Sequence, residues 1–130
     1  MNEIKVSICV AYYNRSEYVK ECVQSLLDQD YDSFEVIVVN DGSSDPLTGA
    51  YLDDFDDERL KVIHQKNTGF VGAIRAAIDA SQGTYIAIQG AGDVSLPSRI
   101  KKQVEVLNNK PQVGIVSCLF ENVVFGGKND

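Results

Sequence analysis

The stretch Ile86-Ala87-Ile88-Gln89-Gly90-Ala91-Gly92-Asp93-Val94-Ser95-Leu96-Pro97 decides the fold. An apolar run of strand length empties into two glycines, delivers one carboxylate and then meets Ser95 and Pro97, both helix-opening residues. A strand that ends in a tight turn and a helix is half of a β-α-β unit, and such units pack as parallel sheets covered by helices.

The same alternation runs through the rest of the chain. Residues 4–11 place Ile4, Val6, Ile8 and Val10 on one face and Ser7, Cys9 and Ala11 on the other, which predicts a strand. Tyr12, Tyr13 and Asn14 form a loop. Ser16 is positioned to cap a helix whose apolar stripe is Val19, Cys22, Val23, Leu26 and Leu27. Glu35 to Val39 is a continuous β-branched run, as expected of a strand covered on both faces. Asn40 to Pro46 is dense in turn formers, and Asp45-Pro46 opens a second helix carrying Leu47, Tyr51, Leu52 and Phe55. Leu60 to His64 is a third strand. After the loop Asn67-Thr68-Gly69, a third helix follows with Val71, Ile74, Ala77 and Ile78 as its stripe and Gly83 as its C-terminal stop. Thr84 to Ile88 is the fourth strand. Ser95 is expected to cap a fourth helix bearing Ile100, Gln103, Val104 and Leu107. Gln112 to Cys118 and Leu119 to Phe125 are two further strand candidates. The expected fold class is α/β: a mostly parallel central sheet with helices on both faces, Rossmann-like in plan, in one domain over residues 1–130. In such sheets ligands bind at the carboxyl ends of the strands, which selects the loops Ala11–Asn14, Asn40–Asp45 and Gln89–Ser95.

Composition narrows the partners. Twelve Lys and Arg against nineteen Asp and Glu give a net charge of −7. That argues against nucleic acid as a partner, because a grip on phosphates needs clustered cations. A phosphate-bearing small ligand is compatible, since a metal ion can bring its own positive charge. Cys9, Cys22 and Cys118 have neither metal nor redox spacing and read as buried free thiols in a reducing compartment. No apolar run approaches the ~20 residues of a membrane span. The expected location is the cytoplasm, with peripheral contact to the inner face of a membrane open to the full-length protein.

Each loop offers candidates. Tyr12 and Tyr13 follow a buried strand, where a ring can stack on a nucleobase or simply pack on the next helix. Asp41 can accept hydrogen bonds from a base imide or a ribose hydroxyl, or serve as a turn or cap residue. Asp45, just before Pro46, reads as a cap. The acidic run Asp53, Asp54, Asp56, Asp57 and Glu58 lacks the spacing of a calcium loop and reads as a solvated helix end. His64, the only histidine, has no partner within sequence range. Gly90-Ala91-Gly92 matches neither a dinucleotide fingerprint nor a phosphate loop. Its glycines permit close ligand approach or a tight turn, and Asp93 is a metal ligand or joins Ser95 in capping.

Several of these segments, in order, resemble the family 2 glycosyltransferases of the GT-A fold. Val6-Ser7-Ile8-Cys9-Val10-Ala11-Tyr12-Tyr13-Asn14 is similar to the family opening, and Ser25-Leu26-Leu27-Asp28-Gln29 to its first helix end. Glu35 to Asp45 is similar to the segment that usually ends Asp-Asp-Gly-Ser-x-Asp. Asn67-Thr68-Gly69, Gly83-Thr84-Tyr85-Ile86-Ala87 and the helix carrying Pro97, Arg99, Ile100 and Gln103 fit the segments that follow. The resemblance spans about residues 4 to 118. Its departures are Ala11 for Pro, Asn40 for the first Asp of a pair, and Gly90 and Gly92 where acids are usual.

The resemblance implies transfer of a sugar, with inversion, from a UDP-, GDP- or dTDP-sugar donor to a hydroxyl of a saccharide or glycolipid acceptor, in bacterial surface polysaccharide or glycolipid synthesis. It implies that Tyr13 borders or stacks on the base and that Ala11 touches it through backbone. Asp41 would bond the imide, and Gly92 would lie against the nucleotide. Asp93 would hold a divalent Mg²⁺ or Mn²⁺ at the donor diphosphate. No catalytic base is assigned, and the chain is expected to stop before an acceptor-binding part. Two alternatives stay open: a non-catalytic nucleotide-sugar-binding or regulatory module, and an unrelated doubly wound protein.

Overall fold

The computed structural model describes residues 3–117. Its elements are β1 (Val6–Tyr12), a 3₁₀ turn (Ser16–Tyr18), α1 (Val19–Leu27), β2 (Phe34–Asp41), α2 (Pro46–Asp53), β3 (Leu60–Gln65), α3 (Gly69–Asp79), β4 (Tyr85–Gln89) and α4 (Arg99–Asn109). The strands form one parallel sheet in the order β3-β2-β1-β4, with Ile8 opposite Val36 and Cys9 opposite Ile88. The order reverses between β1 and β4, so the crevice beyond their carboxyl ends is where a ligand site is expected in an open α/β sheet.

Helices cover both faces. On one, Val6, Ile8, Val10 and Tyr12 of β1 and Val36 and Val38 of β2 meet Val19, Cys22, Val23 and Leu26 of α1, Leu52 of α2 and Ile100 and Val104 of α4. On the other, Cys9, Ile37 and Val39 pack under Ala73 and Ala77 of α3, whose small side chains let that helix lie close to the sheet. Every residue of β2 is buried, matching its unbroken β-branched run. Each such valine or isoleucine contributes about 1.5–3 kcal/mol relative to exposure.

Four local expectations are corrected. Ser16 caps no α-helix; it begins the 3₁₀ turn, and α1 starts at Val19 without a side-chain cap. Ser95 does not cap α4 either, because Gln29 takes that role: its Oε1 accepts from Ile100 N at 3.0 Å while its Nε2 donates to Leu96 O at 2.8 Å. Gly83 lies beyond the end of α3 at Asp79 rather than at its cap, and it is glycine because a Cβ there would sit 2.6 Å from Ser7 N. Val71 and Ile78 are exposed; the buried stripe of α3 is Ala73, Ile74 and Ala77. Of the strand expected at Gln112–Cys118, the described residues up to 117 contain none, and Ile115 lies exposed without a strand partner. Cys118 and the candidate strand at Leu119–Phe125 lie outside the described residues.

At the amino end of the sheet, Glu35 is buried. Its carboxylate accepts from Ser7 Oγ at 2.6 Å and Gln82 N at 2.7 Å and pairs with Lys61 Nζ at 2.9 Å. Burial alone would raise its pKa, but the bonds from Ser7, Gln82 and Lys61 outweigh it and hold the carboxyl below its ordinary value.

Candidate functional site

The carboxyl ends of β1 and β2 enclose a cavity of about 210 Å³. Ala11, Tyr12, Tyr13 and Asp41 line one part of it. Asn67, Gly69, Phe70 and Ala73, from the β3–α3 loop and the first turns of α3, line the rest. Four residues singled out in the sequence thus share one wall. The four on the other wall had no role assigned, although Asn67-Thr68-Gly69 stood out as a motif.

The two tyrosines divide the alternatives left open for them. Tyr12 ends β1 and is fully buried; its hydroxyl donates to Tyr18 O at 3.0 Å and accepts from Gly92 N at 3.2 Å. Burial is the main reason its phenol is held protonated far above the usual range. Tyr13 is 49 % exposed, with its ring available at the cavity.

Asp41 is only 3 % exposed, and its carboxylate is heavily engaged. Oδ1 accepts from Gln65 Nε2 at 2.9 Å, Thr68 N at 2.9 Å and Thr68 Oγ1 at 3.1 Å, and Oδ2 accepts from Gly69 N at 2.8 Å. It therefore caps α3, a helix that begins 28 residues later, rather than the helix that follows it. Burial would raise its pKa, yet these bonds together keep the carboxyl below its usual value. Asp45 caps α2 as expected, accepting from Leu47 N at 2.8 Å. Asn14, with φ +54°, ties the first two loops together through Ser43 Oγ, Ser44 Oγ and Asp45 N.

His64 does find partners, brought to it by the fold. Its Nε2 lies 2.8 Å from Asp53 Oδ1 and its Nδ1 3.1 Å from Asn40 Nδ2, while Ser43 Oγ donates to Asn40 Oδ1 at 2.6 Å. The chain of contacts braces the β2–α2 loop.

Beyond β4, Asp93 N donates to Gly90 O at 3.0 Å and closes the turn. Gly92 has φ +90°, and a Cβ there would lie 3.0 Å from Tyr18 Cβ. A Cβ on Gly90 would lie 2.6 Å from Asp93 Oδ2. Gln89, buried at the strand end, donates from Nε2 to Asp93 O at 2.6 Å and accepts at Oε1 from Ser95 Oγ and Arg99 Nη1. Ser95 thus belongs to this knot. Gly92 and Asp93 do not line the β1–β2 cavity; Tyr12, which does, reaches the turn through its hydroxyl.

A divalent ion fits this corner in a limited sense. Asp93 is exposed and offers hard oxygen ligands, but among the described residues no group of three or more His, Cys, Asp or Glu converges to hold a metal. Phosphate and water would have to supply the remaining positions, as Mg²⁺ readily accepts.

The family model described as Glycosyl transferase family 2 matches residues 7–128. The chain belongs to this family. The family 2 domain is 34 % identical over 122 residues to an uncharacterized glycosyltransferase of Haemophilus influenzae, covering 92 % of this chain and 38 % of that protein. It is 37 % identical over 117 residues to the uncharacterized glycosyltransferase EpsJ of Bacillus subtilis, covering 88 % and 33 %. The chain thus spans about a third of the length of these relatives. Among solved structures, S. aureus TarS in complex with UDP-GlcNAc superposes with a TM-score of 0.72 at 27 % identity, over 82 % of this chain and 32 % of that one. The mannosyltransferase PcManGT of Pyrobaculum calidifontis, in complex with GDP-Man and Mn²⁺, gives 0.81 at 24 % identity over 93 % and 37 %. The fold of the family 2 domain is the GT-A fold. No helix among the described residues is long and apolar enough to cross a membrane.

Proposed function

We propose that this domain is the donor-binding part of an inverting glycosyltransferase, taking a sugar from a UDP-, GDP- or dTDP-sugar to a hydroxyl of a saccharide or glycolipid in bacterial surface polymer or glycolipid synthesis. One observation carries the reading: Ala11, Tyr13 and Asp41 line a single cavity at the carboxyl ends of the strands, joined through Tyr12 to the turn that bears Asp93. UDP-GlcNAc and GDP-Man in the two structural neighbours support a nucleotide-sugar ligand.

In this reading the nucleobase enters beside the exposed Tyr13 ring, with Ala11 backbone at its edge and Gly92 allowing close approach of the nucleotide to the turn. Asp41 acts mainly by shaping the cavity wall, since its carboxylate already holds Gln65, Thr68 and Gly69. The acceptor oxygen attacks the anomeric carbon from the side opposite the leaving group. The bond from that carbon to the diphosphate oxygen breaks, and its electron pair leaves with the nucleoside diphosphate. The acceptor proton passes to a base lying outside the residues named here, in a part of the full protein beyond this domain. A divalent Mg²⁺ or Mn²⁺ at Asp93 would supply neutralising charge for the departing diphosphate. Residues 1–130 form one unit in this scheme, working in the cytoplasm or at the inner face of the membrane.

The lone carboxylate at Asp93 gives a second reading its support, that of a non-catalytic nucleotide-sugar-binding module. Calorimetric titration of the chain with UDP, GDP and dTDP, with and without Mn²⁺, tests both. Binding that tightens with Mn²⁺ and loses that gain in Asp93→Asn is expected. A folded chain that binds none of the three would overturn both readings. Donor hydrolysis by the full-length protein supports the enzyme, and its absence in the presence of tight donor binding supports the module.

A further inference from the structure

We propose that Tyr12 is a positioning residue for Asp93: its hydroxyl, with the Gln89 amide on the other side, fixes the Gly90–Asp93 turn so that one carboxylate suffices at the phosphate corner. The inference rests on the donor-binding reading and deepens it.

The turn is clamped from two strands. From β1, the Tyr12 hydroxyl takes the Gly92 N–H at 3.2 Å and is itself oriented by donating to Tyr18 O at 3.0 Å. From β4, Gln89 holds the carbonyl of Asp93 at 2.6 Å and is held in turn by Ser95 Oγ at 2.8 Å and Arg99 Nη1 at 2.7 Å. Arg99 is anchored on Ile88 O at 3.1 Å. The glycines are spacers in this arrangement. Gly92 has room only for a hydrogen against Tyr18, and Gly90 leaves space for the Asp93 carboxylate itself. Backbone on both sides of Asp93 is therefore tied down while its side chain is exposed.

Such fixing matters more for one ligand than for several. Where two or three carboxylates converge, each can adjust around the ion. A lone carboxylate contributes only when the backbone already holds it where the bound phosphates leave a gap, so the ordering must be done in advance. A buried tyrosine hydroxyl also needs partners simply to be tolerated. The two roles separate in an experiment, because a packing role weakens all binding alike whereas a positioning role weakens only the part that depends on metal.

The full chain, Tyr12→Phe, Asp93→Asn and the double variant are titrated with UDP and with GDP, each with and without Mn²⁺, and melted in parallel. The readout is the ratio of nucleotide affinity with Mn²⁺ to that without. Tyr12→Phe keeps the ring and removes both bonds of the hydroxyl, the one from Gly92 N and the one to Tyr18 O, and a fall in that ratio of about tenfold is expected. The double variant should be no worse in this ratio than Asp93→Asn alone, since both act on the same contact. Gln89→Met removes the second clamp and should lower the ratio in the same way, which keeps the test decisive should Tyr12→Phe melt before titration. An unchanged ratio in Tyr12→Phe, or in Gln89→Met if only that variant folds, overturns the inference. So does a wild-type chain that binds nucleotide with no gain from Mn²⁺, leaving donor binding itself intact. A folded wild-type chain that binds neither nucleotide fails at the earlier step, the donor-binding reading.

Discussion

Replacing Asp41 by alanine removes a buried acceptor that serves three residues. Thr68 N, Thr68 Oγ1 and Gly69 N each lose their acceptor at 2.8–3.1 Å, at the residue before α3 and at its first residue, while Gln65 Nε2 keeps Thr68 Oγ1. A buried donor left without an acceptor costs about 1–3 kcal/mol, and water entering through the adjacent cavity keeps each of these near the lower end. Loss of the negative charge at a helix N-terminus adds about 0.5 kcal/mol. The expected destabilisation is therefore about 3–4 kcal/mol, or a fall in Tm of about 10–15 °C for a domain of this size. Asp41→Asn retains an oxygen for Thr68 but turns an NH₂ group towards Gly69 N, so a loss of about 1–2 kcal/mol is expected. Thermal unfolding by circular dichroism measures both, with nucleotide titration of the same samples well below their melting points. If Asp41→Ala melts within about 3 °C of the parent yet abolishes nucleotide binding, the capping account is wrong and the carboxylate faces the ligand instead.

Further outcomes follow from the same geometry. Gln29→Ala strips the acceptor from the buried Ile100 N–H and should cost about 2–3 kcal/mol in denaturant unfolding, although position 29 is far from the cavity. Acid unfolding should be steep: Asp41 and Glu35 both titrate lower folded than unfolded, so the unfolded chain binds more protons. Their contribution is complete above the ordinary carboxylate range near 4 and drains away as pH falls from there through the lowered folded values. Glu35→Gln should flatten that slope while lowering the stability at pH 7, both read from urea melts across pH. Burial, helped by the nearby Glu35 charge, pushes the Cys9 thiol up to about 11, and burial likewise raises Cys22. Neither should react with a thiol reagent at pH 8 until denaturant is added, as peptide mapping of the labelled chain would show.

The elements that the sequence makes legible are those whose signal is local. The strands were readable because burial on both faces writes itself as runs such as Val36-Ile37-Val38-Val39, and α1 because its stripe has helical spacing throughout. Asp45 was readable as a cap because its partner, Leu47 N, is two residues away. What stayed hidden is carried by contacts between distant residues. The cap of α4 comes from Gln29, 71 residues before the amide it serves, while the nearby Ser95 is engaged by Gln89. Asp41 was legible as a ligand contact or as a turn or cap residue, but the helix it caps is α3 and its partners, in the β3–α3 loop, could not be read from its neighbours. His64 had no partner in sequence range and acquires Asp53 and Asn40 only when β2, β3 and α2 come together. Of the cavity, the Ala11–Tyr13 and Asp41 wall was legible from strand ends. The Asn67–Ala73 wall needed the sheet order, which puts β3 beside β2.

Glu35 reaches all four strand neighbourhoods at once: Ser7 in β1, Lys61 in β3, and Gln82 just ahead of β4, from its own place in β2. Ser7 and Glu35 are also direct partners across the ladder. Sliding β1 by one residue would carry Ser7 to the opposite side of the sheet and take from the buried Glu35 carboxylate its short Ser7 bond, leaving only Gln82 N and Lys61 to hold it. A misaligned sheet is thereby penalised by more than the correct one gains, since a buried carboxylate stripped of one partner costs about 1–3 kcal/mol while a satisfied one returns little. The residue works as a key that rejects wrong alignments, and it holds the strand ends at the far pole, where the ligand loops begin their approach, to one mutual offset.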